Sequence, residues 1–347
     1  MSYRQSCSLK IIALSLFRGL DMLGITQTRI KEINCSSCDH NAITSIAKSF
    51  QDFDFYNKEI INVSSFVQKV IESFSKPMQE ILADMGKGSG PDVLIIKDMP
   101  VDTLLSEHDD LAEKVRNKSR HSEVALSSFC VLMGGLLQRE ESSHQPGYIQ
   151  QIHPLRSYKQ ESSGRGAEPL PFHAENVFIE DSPSFLALVC LTGQKNVRTE
   201  LVGVKDILSF LDEATINMLR KPIYTIRSAD GFAPKQLENT AVIHGVDSWI
   251  ISRIYEEDRI HTSDPDGQIA VANLKNAITQ AKSCYVSFVE LKPGTAVIFS
   301  NGVGLDTPAG VLHGRSGKIS IEPNNNSKIS MQRWLQRACI KVPYALN

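Results

Sequence analysis

Two metal-ligating residue types sit two apart at His173 and Glu175, in the stretch Pro171-Phe-His-Ala-Glu-Asn176. The flanks read as extended, and in a strand residues i and i+2 point to the same face, so an imidazole and a carboxylate here would aim at one point. This is half of a metal site. A second imidazole must come from elsewhere, and His313 in Gly310-Val-Leu-His-Gly-Arg315 is a suitable candidate. Two histidines and one carboxylate on one side of an ion, with the remaining positions open, is the arrangement associated with mononuclear non-haem Fe(II) centres. His-x-Glu recurs by chance in many chains, so the rest of the sequence has to supply the specificity. His153, His244 and His261 lack a carboxylate two residues away and are read as surface or core histidines.

Strands are expected around 148–154, 171–179, 185–192, 222–227, 240–246, 248–256, 284–292 and 295–300, with the last ones carrying His313 and the run Arg333 to Arg337. Before them, Phe66, Val67, Val70, Ile71 and Phe74 recur at helical spacing, and the pattern resumes at Met78, Ile81 and Leu82 after Pro77, which should break or kink the helix. Residues 123–138 read as a mostly buried helix ending near Gly134-Gly135. Gly86-Lys-Gly-Ser-Gly-Pro91 is not followed by Lys-Ser/Thr opening a helix, so it is a turn before the strand Asp92–Lys97, not a phosphate loop. A helical insert is expected at about 204–220, with Asp212 as an N-cap, and an amphipathic helix at about 268–282. The pattern predicts an α+β chain with a mainly β core, a sandwich or barrel with helices packed outside it. Residues 1–60 form a lead-in with no assigned function, and 61–347 a single domain.

Composition narrows the function classes. With 347 residues and 41% hydrophobic content, the chain has material for a large core. A net charge of −2, with no long basic run and no interleaving of aromatic residues with Arg and Lys, lacks the footprint of a nucleic-acid binder. Seven cysteines are an odd number spread thinly, which fits reduced thiols and a cytoplasmic protein. Cys35-Ser-Ser-Cys38 has no second pair at zinc-finger spacing. The apolar run Ile11–Phe17 is interrupted by Arg18 and Asp21 before a small-residue cleavage site, and no run approaches the roughly 20 apolar residues that span a bilayer.

Taken together and in order, the local sequences resemble the clavaminate synthase-like branch of the Fe(II)/2-oxoglutarate-dependent oxygenases, specifically its amino-acid hydroxylases. Gly147-Tyr148, Gln160 with Ser162-Ser-Gly164, and Pro169-Leu170 lead into His173-x-Glu175-x-x-Phe178. Leu188-Val-Cys190-Leu191 and Thr199 follow, then His313-Gly314-Arg315, then Arg333-Trp334-Leu335-x-Arg337. Each piece is common; the ordered set is specific. Ala174 stands where the family has Thr, and the loops at 302–310 and 319–329 are longer than the family's usual connections.

The resemblance implies a double-stranded β-helix (jelly-roll, cupin-like) with flanking helices and a helical insert. It implies Fe(II) held by His173, Glu175 and His313, with 2-oxoglutarate as co-substrate bound by Arg333 and Thr199, and O₂ as the oxidant. The expected reaction is hydroxylation at C3 or C4 of a free L-amino acid, with Arg337 on its α-carboxylate and Glu175 or the Gln160 region near its α-amine. The segment Tyr255-Glu-Glu-Asp258 falls where the family's substrate side-chain carboxylates lie, so Glu257 and Asp258 are candidates and a basic side chain (arginine or lysine) is expected. Asparagine or a carrier-bound amino acid is the alternative within the class; a non-enzymatic β-sandwich binding module is the alternative outside it. A solvated strand end at 255–258, two arginines on one helix face at 333 and 337, and an ordinary salt bridge for Arg315 are the bland readings of those residues.

Overall fold

The computed structural model describes residues 28–102, 119–140, 146–154, 160–228, 234–244, 251–302, 310–320 and 333–343. Eleven strands in two sheets frame the site: β1 Ile30–Asn34, β2 Val93–Lys97, β3 Leu136–Gln138, β4 Ile149–Ile152, β5 Leu170–His173, β6 Phe185–Thr192, β7 Arg198–Gly203, β8 Ser287–Val289, β9 Ala296–Ser300, β10 Val311–Ser316 and β11 Trp334–Lys341. A seven-stranded sheet runs β1-β2-β9-β6-β11-β3, with β4 also against β11. Its β1·β2 pair is parallel and its other pairs antiparallel. A four-stranded antiparallel sheet runs β8-β7-β10-β5. Short pairings among Tyr224–Arg227, Gln236–Thr240, Ile243–His244, Ile251–Ser252 and Ile260–His261 complete the described β structure.

Strand alternation explains the layering. Leu94, Ile96, Ala187, Val189, Ile298 and Ile340 face a helical layer, while Val93, Ile95, Leu186, Leu188, Val297 and Phe299 face the second sheet and pack with its Leu201, Val289 and Val311. A sheet covered on both faces reads as a continuous apolar run, which is why β6, Phe-Leu-Ala-Leu-Val-Cys-Leu-Thr, is buried at every position. The helical layer is α1 Ser37–Ser49, α2 Ser64–Ser73, α3 Lys76–Gly86 and α4 His121–Leu132, with Phe66, Leu82 and Phe129 buried at its centre. Helices α5 Val204–Leu208, α6 Glu213–Leu219 and α7 Pro265–Tyr285 pack around the four-stranded sheet in a separate apolar cluster.

Several expectations meet their structural reason here. The Pro77 break is a new helix start: Ser75 caps α3 by accepting from Met78 N–H at 3.4 Å, and Pro77 occupies the first turn, where it lacks no needed donor. Asp212 caps α6, accepting from Thr215 N–H at 2.7 Å. The expected helix over 123–138 stops at Leu132 instead, because Gly134 takes φ +68°, and the remainder becomes the edge strand β3. The stretch from Ile30 to 60 is built into the fold: β1 pairs in register with β2, and Ala42, Ile43 and Ile46 of α1 lie in the core. The readings on residues 1–27, on the loop 303–309 and on 321–332 lie outside the described residues. No described helix is long and apolar enough to cross a membrane.

Candidate metal centre

His313 lies in β10, flanked by β7 and β5, and in the register of β10 against β5 it stands directly opposite His173. The two imidazole rings approach to 4.1 Å between centroids. His173 Nδ1 is 2.9 Å from the carbonyl of Pro171, which fixes Nδ1 as the protonated nitrogen and leaves Nε2 to face outward. Tyr255 stacks parallel to the His173 ring, 6.4 Å away with an interplanar angle of 3°, and forms a β-bridge with its backbone.

Glu175 is placed differently from expectation. Strand β5 ends at His173, so the carboxylate rides on the irregular segment that follows. That segment is held by other means. Ala174 N–H donates to Ile254 O at 3.0 Å, the Glu175 backbone is gripped by the Asn301 amide, and Arg337 Nη1 lies 2.8 Å from Glu175 Oε2. One ligand atom from each of His173, Glu175 and His313 lies within 4.8 Å of the other two, and this is the only such cluster among the described residues. His313 Nε2 is 3.7 Å from Glu175 Oε2. Burial, then the His173 ring, then Arg337 hold the His313 pKa well below its ordinary value, so its imidazole stays neutral with a lone pair to give. The donor set fits a cation of the Fe(II) type: neutral imidazole, neutral imidazole, carboxylate, converging from one side.

The cluster opens into a cleft lined on the metal side by Tyr255 and Arg337. Arg333, just before β11, and Thr199 of β7 both line it, each 4% exposed. Burial draws the Arg333 pKa down to about 10, and among the described residues no carboxylate pairs with it. It is a buried cation facing open space. Arg337, four residues on and within β11, lines the cleft on the metal side. Burial alone would lower its pKa, and Glu175, with Cys339 and Glu140, together more than reverse that. The helical alternative for this arginine pair is replaced by a strand, in which residues four apart also share a face.

The expected substrate residues divide. Glu257 lines the cleft, but its carboxylate is ion-paired with Arg259 at 2.7 Å. Asp258 points away, its side chain 88% exposed and paired with Lys275. Gln160 is exposed and outside the cleft lining, whereas Ser162, Ser163 and Gly164 of the same turn are part of it.

Arg315 is not the ordinary salt-bridging residue that its place after His313 predicts. It is buried in the cleft wall, opposite Thr199 in the register of β10 on β7, and donates to the carbonyls of Gly166, at 3.0 Å, and Glu168. The sequence held a signal for it: Arg315 is two residues after His313 on one strand and so shares its face. Asn301 and Tyr255 carried none, since both act across the fold.

No protein-family model matches the chain. Two enzymes are similar in sequence. An L-asparagine oxygenase of Streptomyces coelicolor is 28% identical over 151 residues, 41% of this chain and 43% of that one. An L-lysine 3-hydroxylase of Catenulispora acidiphila is 28% identical over 108 residues, 31% of this chain and 30% of that one. The matched stretch therefore spans less than half of either relative. Two solved structures share the fold: asparagine oxygenase with Fe(II), 2S,3S-3-hydroxyasparagine and succinate (TM-score 0.71, 18% identity, covering 90% of this chain and 93% of that one), and the non-haem iron oxygenase OrfP with Fe, succinate and (3S)-hydroxy-L-Arg (TM-score 0.72, 15% identity, 90% and 95%). The resemblance read from the ordered motifs is thus met in both sequence and fold.

Proposed function

We propose that this chain is an Fe(II)/2-oxoglutarate-dependent oxygenase that hydroxylates C3 or C4 of a free L-amino acid, with release of succinate and CO₂. The observation that carries the proposal is the convergence of His173, Glu175 and His313 beside a cleft whose far wall holds the buried Arg333 guanidinium. The sequence relatives and the shared fold support it. We take the two facing sheets to be the double-stranded β-helix that the resemblance implies, and the oxygenase unit, expected over 61–347, to reach back to Ile30 through β1.

When bound, Fe(II) would supply the O₂ chemistry that oxidatively decarboxylates 2-oxoglutarate and inserts oxygen into an unactivated C–H bond. The residues of the chain bind, orient and exclude water. His173, Glu175 and His313 would hold the ion from one side and leave its other side to the cleft. Arg333, with the Thr199 hydroxyl, would clamp the far carboxylate of 2-oxoglutarate, a charge-assisted pairing that gains from burial. Arg337 would pair with the substrate α-carboxylate while keeping its contact with Glu175, and the apolar wall of Leu188, Leu335 and Ile152 would keep water away from the co-substrate.

Structure bears on the side chain of the substrate. The expectation of a basic amino acid rested on a cluster of free acidic groups at 255–258, and only Glu257 reaches the cleft, already paired with Arg259. A carboxylate already paired with a guanidinium outside the cleft lining offers an acceptor with its charge largely met, which suits the N–H of a primary amide better than a free cation. Asparagine is therefore a second reading, favoured by this one pair. The deciding experiment supplies the purified chain with Fe(II), 2-oxoglutarate and ascorbate and measures succinate. No succinate with any amino acid, free or carrier-bound, would overturn the enzymatic reading in favour of a binding module.

A further inference from the structure

Asn301 sits at the end of β9, 0% exposed, and its side-chain amide spans the backbone of Glu175. Its Oδ1 accepts from Glu175 N–H at 2.7 Å, and its Nδ2 donates to Glu175 O at 2.9 Å and to Pro183 O at 3.0 Å. Its own N–H donates to Ser184 O at 2.8 Å. An amide that both receives from and gives to one residue reproduces the paired hydrogen bonds of two facing strand residues. That pairing is what Glu175 lacks, because β5 stops at His173.

The same residue abuts the strand of the second imidazole. Gly310, which opens into β10 and His313, packs so tightly on Asn301 and Gly302 that an added Cβ would lie 2.9 Å from Asn301 O. Its carbonyl in turn accepts from Val204 N–H at 2.8 Å. Asn301 thus ties the backbone of the carboxylate to the base of the strand that carries His313. Arg337 fixes the other end of Glu175, its carboxylate.

We infer that Asn301 is a positioning residue for the metal carboxylate: its amide replaces the missing strand neighbour of Glu175 and sets the backbone from which that carboxylate reaches the ion. This rests on the oxygenase reading of the cluster. The amide chemistry is specific. Aspartate at 301 keeps the shape and still accepts from Glu175 N–H, but sets an oxygen against two carbonyl oxygens. Alanine leaves a buried N–H and two buried carbonyls without those partners, and each such loss is costly.

The test uses the full chain. Anaerobic Fe(II) titration of wild type, Asn301→Asp and Asn301→Ala gives dissociation constants, thermal unfolding of the metal-free proteins gives stability, and Tyr56→Phe, on the helical side of the seven-stranded sheet, serves as the destabilised control. Asn301→Asp and Asn301→Ala should weaken Fe(II) binding roughly 10- to 100-fold, as outer-shell partners of metal ligands do. Tyr56→Phe should lower stability with unchanged iron affinity. Wild-type affinity in the folded Asn301 variants would overturn the inference. If neither variant folds, hydrogen exchange of metal-free wild type decides: a Glu175 amide protected like a strand amide supports the clamp, and one exchanging like an open loop overturns it. Wild type that binds no Fe(II) at all would remove the oxygenase reading and this inference with it, a result distinct from failure of the variants alone.

Discussion

Arg337 Nη1 stands 2.8 Å from Glu175 Oε2, joining β11 to the carboxylate of the His-Glu-His cluster. One guanidinium therefore serves two ends of the site, neutralising the buried carboxylate and facing the cleft where a substrate carboxylate would arrive. Without an ion, the two side chains satisfy each other, which lowers the electrostatic cost of keeping an acidic group in an apolar enclosure.

Removing a ligand should separate iron binding from folding. His173→Ala takes away one imidazole and leaves the Arg337–Glu175 pair in place, so the metal-free protein should remain folded. The absorbance that develops when Fe(II) is added anaerobically to protein with 2-oxoglutarate should vanish. Unchanged iron binding in this variant would exclude His173 as a ligand.

Arg333→Gln should act on the co-substrate. The loss of a charge-assisted pair costs about 1.5–3 kcal/mol, which predicts an apparent KM for 2-oxoglutarate raised by roughly 10- to 150-fold. The KM for the amino acid should move little. Equal rises in both would point to general disruption, and a selective effect in Arg337→Gln instead would exchange the two roles.

These assignments show what the sequence could and could not disclose. His173, His313, Arg333 and Arg337 were legible because strand periodicity and ordered motifs are local properties, and the structure brings all four to one cleft. The reason Glu175 points inward was not: it lies past the end of β5, and its partners are distant in sequence. The acidic run 255–258 was only partly legible for a related reason. Sequence shows three acidic residues in a row after Tyr255 but not that Lys275 of α7 pairs with Asp258 on the exposed side or that Arg259 pairs with Glu257. Residues 30–60 gave little periodicity because β1 is exposed along most of its length and earns its place through backbone pairing with β2.

A buried polar network behind β11 makes a stability prediction independent of catalysis. Tyr56 donates to Glu123, which is 0% exposed, and its hydroxyl accepts from Gln336 at 2.9 Å and Gln151 at 3.1 Å. Tyr56→Phe removes the shared hydroxyl and takes one donor from a buried carboxylate. The expected loss is about 1.5–3 kcal/mol, read as a lower midpoint in denaturant. Stability equal to wild type would mean that the Arg120 and Gln336 contacts of Glu123 suffice without the hydroxyl.

The last prediction concerns substrate choice and turns on Glu257 and Arg259. Glu257 lines the cleft while its partner Arg259 lies outside that lining, and the Glu257 side chain is 34% exposed, so the field of the pair is screened and its influence on selection is modest. While the pair is intact, a cationic side chain meets a carboxylate already neutralised, whereas an amide N–H needs only the acceptor that Glu257 still offers. A screen of the twenty amino acids with ornithine and citrulline, read by mass spectrometry for a gain of one oxygen, should therefore rank asparagine above lysine and arginine. Arg259→Gln frees the Glu257 carboxylate and should shift the kcat/KM ratio toward lysine or arginine by about two- to fivefold, the size of a partly screened ion pair. Glu257→Gln should lower turnover of every polar side chain without that shift. A wild-type preference for lysine or arginine, unmoved in Arg259→Gln, would remove the pair from substrate selection and restore the acidic pocket expected from the sequence.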